Sequence, residues 1–322
     1  MGFQRDMLSL LSVTSGGFLG WSLGANDAAN VFGTAVTTRV VKYSTVVILT
    51  SIFVIIGALV NGSAGIHNLS SYAFVSGVTT AKAAFLVMLS AGLTVTAMTF
   101  LSFPVSTSQC VIGSIIGWGL GFGYADFSRT TKFFSAWIIT PLGACAICFV
   151  LCWLAQRFIT DKMLANITWY DSIIKAGYYI SGIFGAYSLG ANNVANVTAL
   201  YAGELNILSD TSAELVGGLT IALGVLTFSK RVMFTVGSKI TELSAFTGFL
   251  VTFACALTVF VYALIGIPVS TSQAVVGAVI GAGLVKGIKN VDFKVLRNIF
   301  IAWFGTPTIA GLVSYVFAIL FF

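Results

Sequence analysis

The chain has 322 residues, of which 57% are apolar and only 8% charged, and its mean hydropathy is +1.00. A water-soluble domain carries about 25% charged residues, so this composition excludes a soluble globular protein and points to a polytopic membrane protein. The net charge of +6 is loop charge that sets orientation, and no nucleic-acid partner is expected.

Ten hydrophobic elements are predicted in chain order, at about 7–37, 44–62, 83–101, 104–122, 133–156, 173–199, 212–229, 244–266, 268–285 and 298–321. The first is expected to stay in place as a span, because no small-residue cleavage pattern follows it. The fourth and ninth are open to two readings, full crossings or re-entrant helices. With ten crossings, twelve Lys and Arg residues fall on one side and four on the other. The richer side is then cytoplasmic, and both termini lie outside the cell membrane.

The chain repeats itself. Trp21-Ser-Leu-Gly-Ala-Asn-Asp-Ala-Ala-Asn30 reappears as Tyr187-Ser-Leu-Gly-Ala-Asn-Asn-Val-Ala-Asn196. Asp126-Phe127 recurs as Asp292-Phe293, and Trp137-Ile-Ile-Thr-Pro141 as Trp303-Phe-Gly-Thr-Pro307. Pro-Val-Ser-Thr-Ser-Gln occurs twice, at Pro104–Gln109 and Pro268–Gln273. Two homologous halves are expected, residues 1–160 and 170–322. Five elements per half is an odd number, so the second half enters the membrane upside down. The predicted fold is all-α: two inverted-topology repeats whose helix starts or re-entrant hairpins meet at the midplane.

The doubled Pro-Val-Ser-Thr-Ser-Gln stretch carries one kind of chemistry. Proline suits a first helical turn, and three hydroxyls then stand beside the free N–H groups and the positive end of the helix dipole. One copy reads equally well as a plain capped helix start; two copies favour a paired anion site built from Ser106, Thr107, Ser108 and Gln109 with Ser270, Thr271, Ser272 and Gln273. Asp27 carries another kind. It stands alone inside an apolar segment, where a carboxylate needs a partner or a task. The spacing puts Asn26, Asp27 and Asn30 on one helical face. Gly24 permits a break that would free carbonyls for Na⁺ or a proton, with Asp27 as the ionic ligand. The plainer alternative for the asparagines is helix–helix hydrogen bonding.

Gly24-Ala-Asn-Asp-Ala-Ala-Asn-Val-Phe-Gly-Thr34, the two Pro-Val-Ser-Thr-Ser-Gln stretches and the basic link Lys230-Arg-Val-Met-Phe-Thr-Val-Gly-Ser-Lys-Ile-Thr241 together resemble the signatures of the inorganic phosphate transporter (PiT) family. The resemblance covers nearly the whole chain, with four motifs in order. It implies cation-coupled phosphate symport, driven by Na⁺ or H⁺ without any other cofactor, by a homodimer in the cell membrane. It also implies that the two Ser-Thr-Ser groups hold the oxyanion, and that Asn26, Asp27, Asn30, Asn192, Asn193 and Asn196 shape the cation sites. The family's large central domain is missing, since only about fifteen residues join the halves.

The chain departs from that pattern at informative places. Asn193 stands where the family usually has Asp, and Ser108-Gln109 and Ser272-Gln273 where it has Thr-His. Val54 and Thr252 align with membrane glutamates. Phosphate near neutrality carries a proton to donate and sulfate does not, so these losses keep a sulfate permease open as the alternative. A passive anion channel would leave Asp27 unexplained. An intramembrane enzyme would need a base near Ser106 or Ser270, and none is present nearby in sequence. Cys145, Cys148 and Cys152 have helical spacing and read as packing residues. His67 is placed in a loop without visible partners, and Asn61 and Asn68 begin chance-level glycosylation sequons.

Overall fold

The computed structural model describes residues 2–100, 105–158, 167–240, 244–285 and 293–322. Pro104, Thr241 at the end of the basic link, Asp292 of the repeated Asp-Phe pair and loop residues Lys162, Lys286 and Lys289 lie outside the described residues. The described chain folds into α-helices: α1 (Gly2–Thr37), α2 (Tyr43–Asn61), α3 (Ser63–Val75), α4 (Ala81–Phe100), α5 (Thr107–Phe122), α6 (Phe127–Phe158), α7 (Ile167–Thr198), α8 (Asp210–Ile240), α9 (Ala245–Ile265), α10 (Thr271–Val285) and α11 (Phe293–Phe321). A 3₁₀ turn, Gly203–Leu205, follows α7.

Among the described residues, six stretches are long and apolar enough to cross a bilayer: Tyr43–Asn61, Ala81–Phe100, Phe127–Phe158, Asp210–Lys230, Ala245–Ile265 and Trp303–Phe321. Their outer faces carry exposed aliphatic side chains such as Ile48, Ile52 and Ile56 on α2, and Ile138, Ile139 and Leu142 on α6. Exposed apolar surface of that extent suits lipid, not water. The molecule is a multi-pass membrane protein.

Each of the ten expected elements coincides with a helix, and α3 is the addition. His67 therefore sits on a helix and not in a loop, and its Nε2 lies 3.0 Å from Asp210 Oδ2 at the start of α8. Both side chains are about half exposed, which makes the pair worth less than about 1 kcal/mol. Asn61 and Asn68 are also engaged: Asn61 accepts from the Tyr187 hydroxyl, and Asn68 donates to the Gly266 carbonyl at 3.1 Å.

The helices interleave. α1 packs along α8 and α7 along α2; α5 packs on α11 and α10 on α6; α4 lies against α1 as α9 lies against α7. Every one of the first four pairings joins residues below 160 to residues above 166. Glycines set the closest approaches. A Cβ on Gly24 would lie 1.9 Å from the Ile221 carbonyl oxygen, and one on Gly190 would lie 1.9 Å from that of Val54. Gly24 therefore does not break α1, which runs on as one helix to Thr37. Its missing side chain is needed for backbone-to-backbone contact, the small-residue packing of membrane helices. In an open helix, Gly→Ala stabilises by up to about 1 kcal/mol. Gly24→Ala is expected to do the reverse here, lowering stability by about 1–3 kcal/mol through overpacking. Thermal unfolding of the detergent-purified variant measures this, and an unchanged midpoint would remove the packing role.

α5 and α10 have 16 and 15 residues. At about 1.5 Å per residue they reach roughly 24 and 22 Å, short of the ~30 Å hydrocarbon core. Each follows a non-helical lead, Val105-Ser106 before α5 and Ile267–Ser270 before α10. Neither crosses as a helix alone.

Candidate functional site

The serine of each motif copy caps its helix. Ser106 is extended (φ −106°, ψ 107°), and its Oγ accepts from Gln109 N at 3.3 Å. Ser270 Oγ accepts from Gln273 N at 3.3 Å. Beyond each cap the second serine approaches the first, with Ser106 Oγ and Ser108 Oγ 3.3 Å apart and Ser270 Oγ and Ser272 Oγ 2.9 Å apart. The two copies then touch: Ser272 Oγ donates to the Val105 carbonyl at 3.1 Å. Two helix starts, joined by a bond between residues 167 apart in sequence, thus face a common region. All eight Ser, Thr and Gln residues of the two copies are buried.

The asparagine motifs arrive from α1 and α7. Asn30 Nδ2 donates to Asp27 Oδ1 and to Thr271 Oγ1, both at 3.2 Å, and so ties the first half's carboxylate to the second half's helix start. In the second half Asn196 Nδ2 donates to Asn193 Oδ1 at 3.0 Å. The structure divides the face expected for Asn26, Asp27 and Asn30. Asn26 turns to α4, where its Nδ2 donates to Thr99 Oγ1 at 3.0 Å. Its counterpart Asn192 clamps the lead into α10, donating to the Ile267 carbonyl at 3.0 Å and accepting from Val269 N at 2.9 Å. Asn192 thereby holds the extended backbone on which Ser270 stands, a positioning task that its spacing does not reveal.

Several buried polar atoms around these motifs have no protein partner: Thr107 Oγ1, Gln109 Oε1, Asn193 Nδ2, Asn196 Oδ1 and Gln273 Oε1. Leaving such atoms unsatisfied costs about 1–3 kcal/mol each, which is tolerable where a ligand completes them. Among the described residues the buried set includes no Lys or Arg. Positive potential here comes from the two helix starts, about half a charge each, and from any cation bound beside Asp27. Asp27 is 3% exposed, with the Asn30 amide and the Thr271 hydroxyl beside it, and a buried carboxylate in that setting suits Na⁺ or a proton. No cluster of three or more His, Cys, Asp or Glu residues able to hold a metal occurs among the described residues.

Sequence reasoning passed over Cys255, whose thiol donates to the Thr271 carbonyl at 3.7 Å, and the Val105 carbonyl. The positions matched to family glutamates lie in the packed interior. Thr252 Oγ1 is 3.5 Å from Thr34 Oγ1, and Val54 presents its carbonyl to Gly190. Cys148 and Cys152 are buried with their sulfurs 3.8 Å apart, in keeping with packing.

Comparison with known proteins agrees with this architecture. The chain is 33% identical over 301 residues to a Methanocaldococcus jannaschii protein named provisionally as a phosphate permease, covering 93% of each chain. It is 29% identical over 308 residues to the sulfate permease CysP of Bacillus subtilis, covering 94% of this chain and 85% of that one. A solved structure titled "The sodium-dependent phosphate transporter" superposes with a TM-score of 0.81 at 22% identity, covering 98% of both chains, and so shares the fold. The model of the phosphate transporter family matches residues 23–314. The chain is a member of the phosphate transporter family, a family of carriers and not of enzymes.

Proposed function

We propose that the protein is a secondary carrier that moves a tetrahedral inorganic oxyanion, phosphate in the first instance, across the cell membrane in symport with Na⁺ or H⁺. The observation that carries this reading is the meeting of the two Ser-Thr-Ser-Gln helix starts through Ser272 and Val105, with Asp27 tied to the same place through Asn30 and Thr271. Hydroxyls and N–H groups from both starts hold the anion, and Asp27 takes the coupling cation. The repeated motifs and reciprocal helix pairings support an inverted repeat, with both termini outside, in which the halves rock about a central site. The family resemblance supports a homodimer.

Sulfate is the second reading. It is supported by Gln109, Gln273 and Asn193 at positions where ionisable side chains would otherwise accept a proton from phosphate. The likeness to the B. subtilis sulfate permease points the same way.

Proteoliposomes loaded with no anion and given an inward Na⁺ or H⁺ gradient are expected to accumulate labelled phosphate above the external concentration, and unlabelled phosphate to compete better than sulfate. Stronger competition by sulfate would reverse the order of the two substrates. Equilibration without accumulation under either gradient would point to a channel.

A further inference from the structure

The two halves present the same framework with different charge. In the first, the Asp27 carboxylate accepts from Asn30 at 3.2 Å and has the Thr271 hydroxyl beside it, and it keeps a formal negative charge for a cation. In the second, Asn193 Oδ1 accepts from Asn196 at 3.0 Å, and what remains at the matching place is the amide Nδ2. That Nδ2 is buried and has no partner, and the same holds for Asn196 Oδ1 and Thr107 Oγ1. Thr107 opens α5 as Thr271 opens α10, and α5 packs against α7.

We infer that the two half-pockets are functionally unequal: the Asp27 pocket takes the single coupling cation, and the Asn193–Asn196 pocket takes an oxygen of the oxyanion in place of a second cation. This rests on the carrier reading above.

The chemistry follows from donors and charge. An unpartnered N–H₂ repels a cation and attracts an anionic oxygen. A neutral pocket in a low-dielectric interior has no formal charge to offset cation desolvation. Asn196 Oδ1, buried and unpartnered, can also accept a hydrogen from a protonated oxyanion. The second half therefore contributes to anion recognition, and the first half to coupling. One carboxylate then sets a stoichiometry of one cation per anion. Each added carboxylate would raise it by one.

The test counts ions bound to the detergent-purified full chain at saturating phosphate, and separately at saturating sulfate. Bound ²²Na⁺ is measured in buffered solution, and proton uptake in Na⁺-free weakly buffered solution. One cation per chain is expected in the wild type, two in Asn193→Asp, and none in Asp27→Asn. Asn196→Asp places a carboxylate in the same pocket and serves if Asn193→Asp does not elute as a folded protein. Two cations bound by the wild type would overturn the inference, as would a count of one in a folded Asn193→Asp or Asn196→Asp variant. Failure of wild-type proteoliposomes to take up either anion would instead remove the carrier reading, while the count of bound ions would still decide whether the pockets are unequal.

Discussion

Replacing Asp27 with asparagine is expected to abolish gradient-driven accumulation of the oxyanion. The carboxylate is buried, and among the described residues the only other buried ionisable group outside Cys and Tyr is Glu214 near the start of α8. Removing one member of a buried, hydrogen-bonded charge pair costs about 2–5 kcal/mol, so the cation's apparent affinity should fall by roughly 30-fold or more. The protein itself supplies the folding control. Asn193 occupies the corresponding place in α7 and keeps the same i, i+3 bond to Asn196. An asparagine at position 27 can do likewise with Asn30, so the variant should match the wild type in thermal unfolding while losing coupling. Uptake in proteoliposomes with and without the cation gradient provides the measurement. Undiminished accumulation in Asp27→Asn would show that amide and hydroxyl oxygens suffice to bind the cation.

The repeated words of the sequence disclosed much of this arrangement, because a duplicated motif announces a paired site before any contact is known. Helix positions were equally legible, since the apolar runs are long. Three things were not. The bond from Asn30 to Thr271 spans 241 positions and depends on α1 meeting α10, which no local pattern encodes. Gly24 reads as a hinge in isolation; only the Ile221 carbonyl packed against it explains why it must be glycine within an unbroken helix. The segment Ser63–Val75 mixes Ser, His and Asn with few strongly apolar residues, so α3 leaves a weak periodic signal and is held by packing against α7 and the 3₁₀ turn. Asn192 teaches the same lesson. Its spacing groups it with the other asparagines, yet its two bonds go to backbone at Ile267 and Val269.

The double substitution Gln109→His with Gln273→His is expected to shift transport towards phosphate and to add a pH dependence to the phosphate-to-sulfate ratio. Both glutamines are buried in the first turn of their helices, one residue beyond the Ser-Thr-Ser hydroxyls, and each Oε1 lacks a protein partner. Neither amide changes charge between pH 5 and 8, whereas histidine titrates inside that interval, near 6.5 when unperturbed. Above its pKa a neutral imidazole nitrogen accepts a hydrogen bond. Phosphate carries a P–OH group to supply one, and sulfate carries no proton. An added hydrogen bond to a charged ligand contributes about 1.5–3 kcal/mol, so the ratio should rise by about tenfold or more at pH 8. Below the pKa the imidazolium donates to either anion, and the advantage should shrink as pH falls to 5. Initial rates for both labelled anions across that range, in wild type and double mutant, measure the effect. A ratio that stays at the wild-type value at every pH would place both glutamines outside the anion's reach, and the choice between phosphate and sulfate would then rest on the hydroxyls and on Asn193.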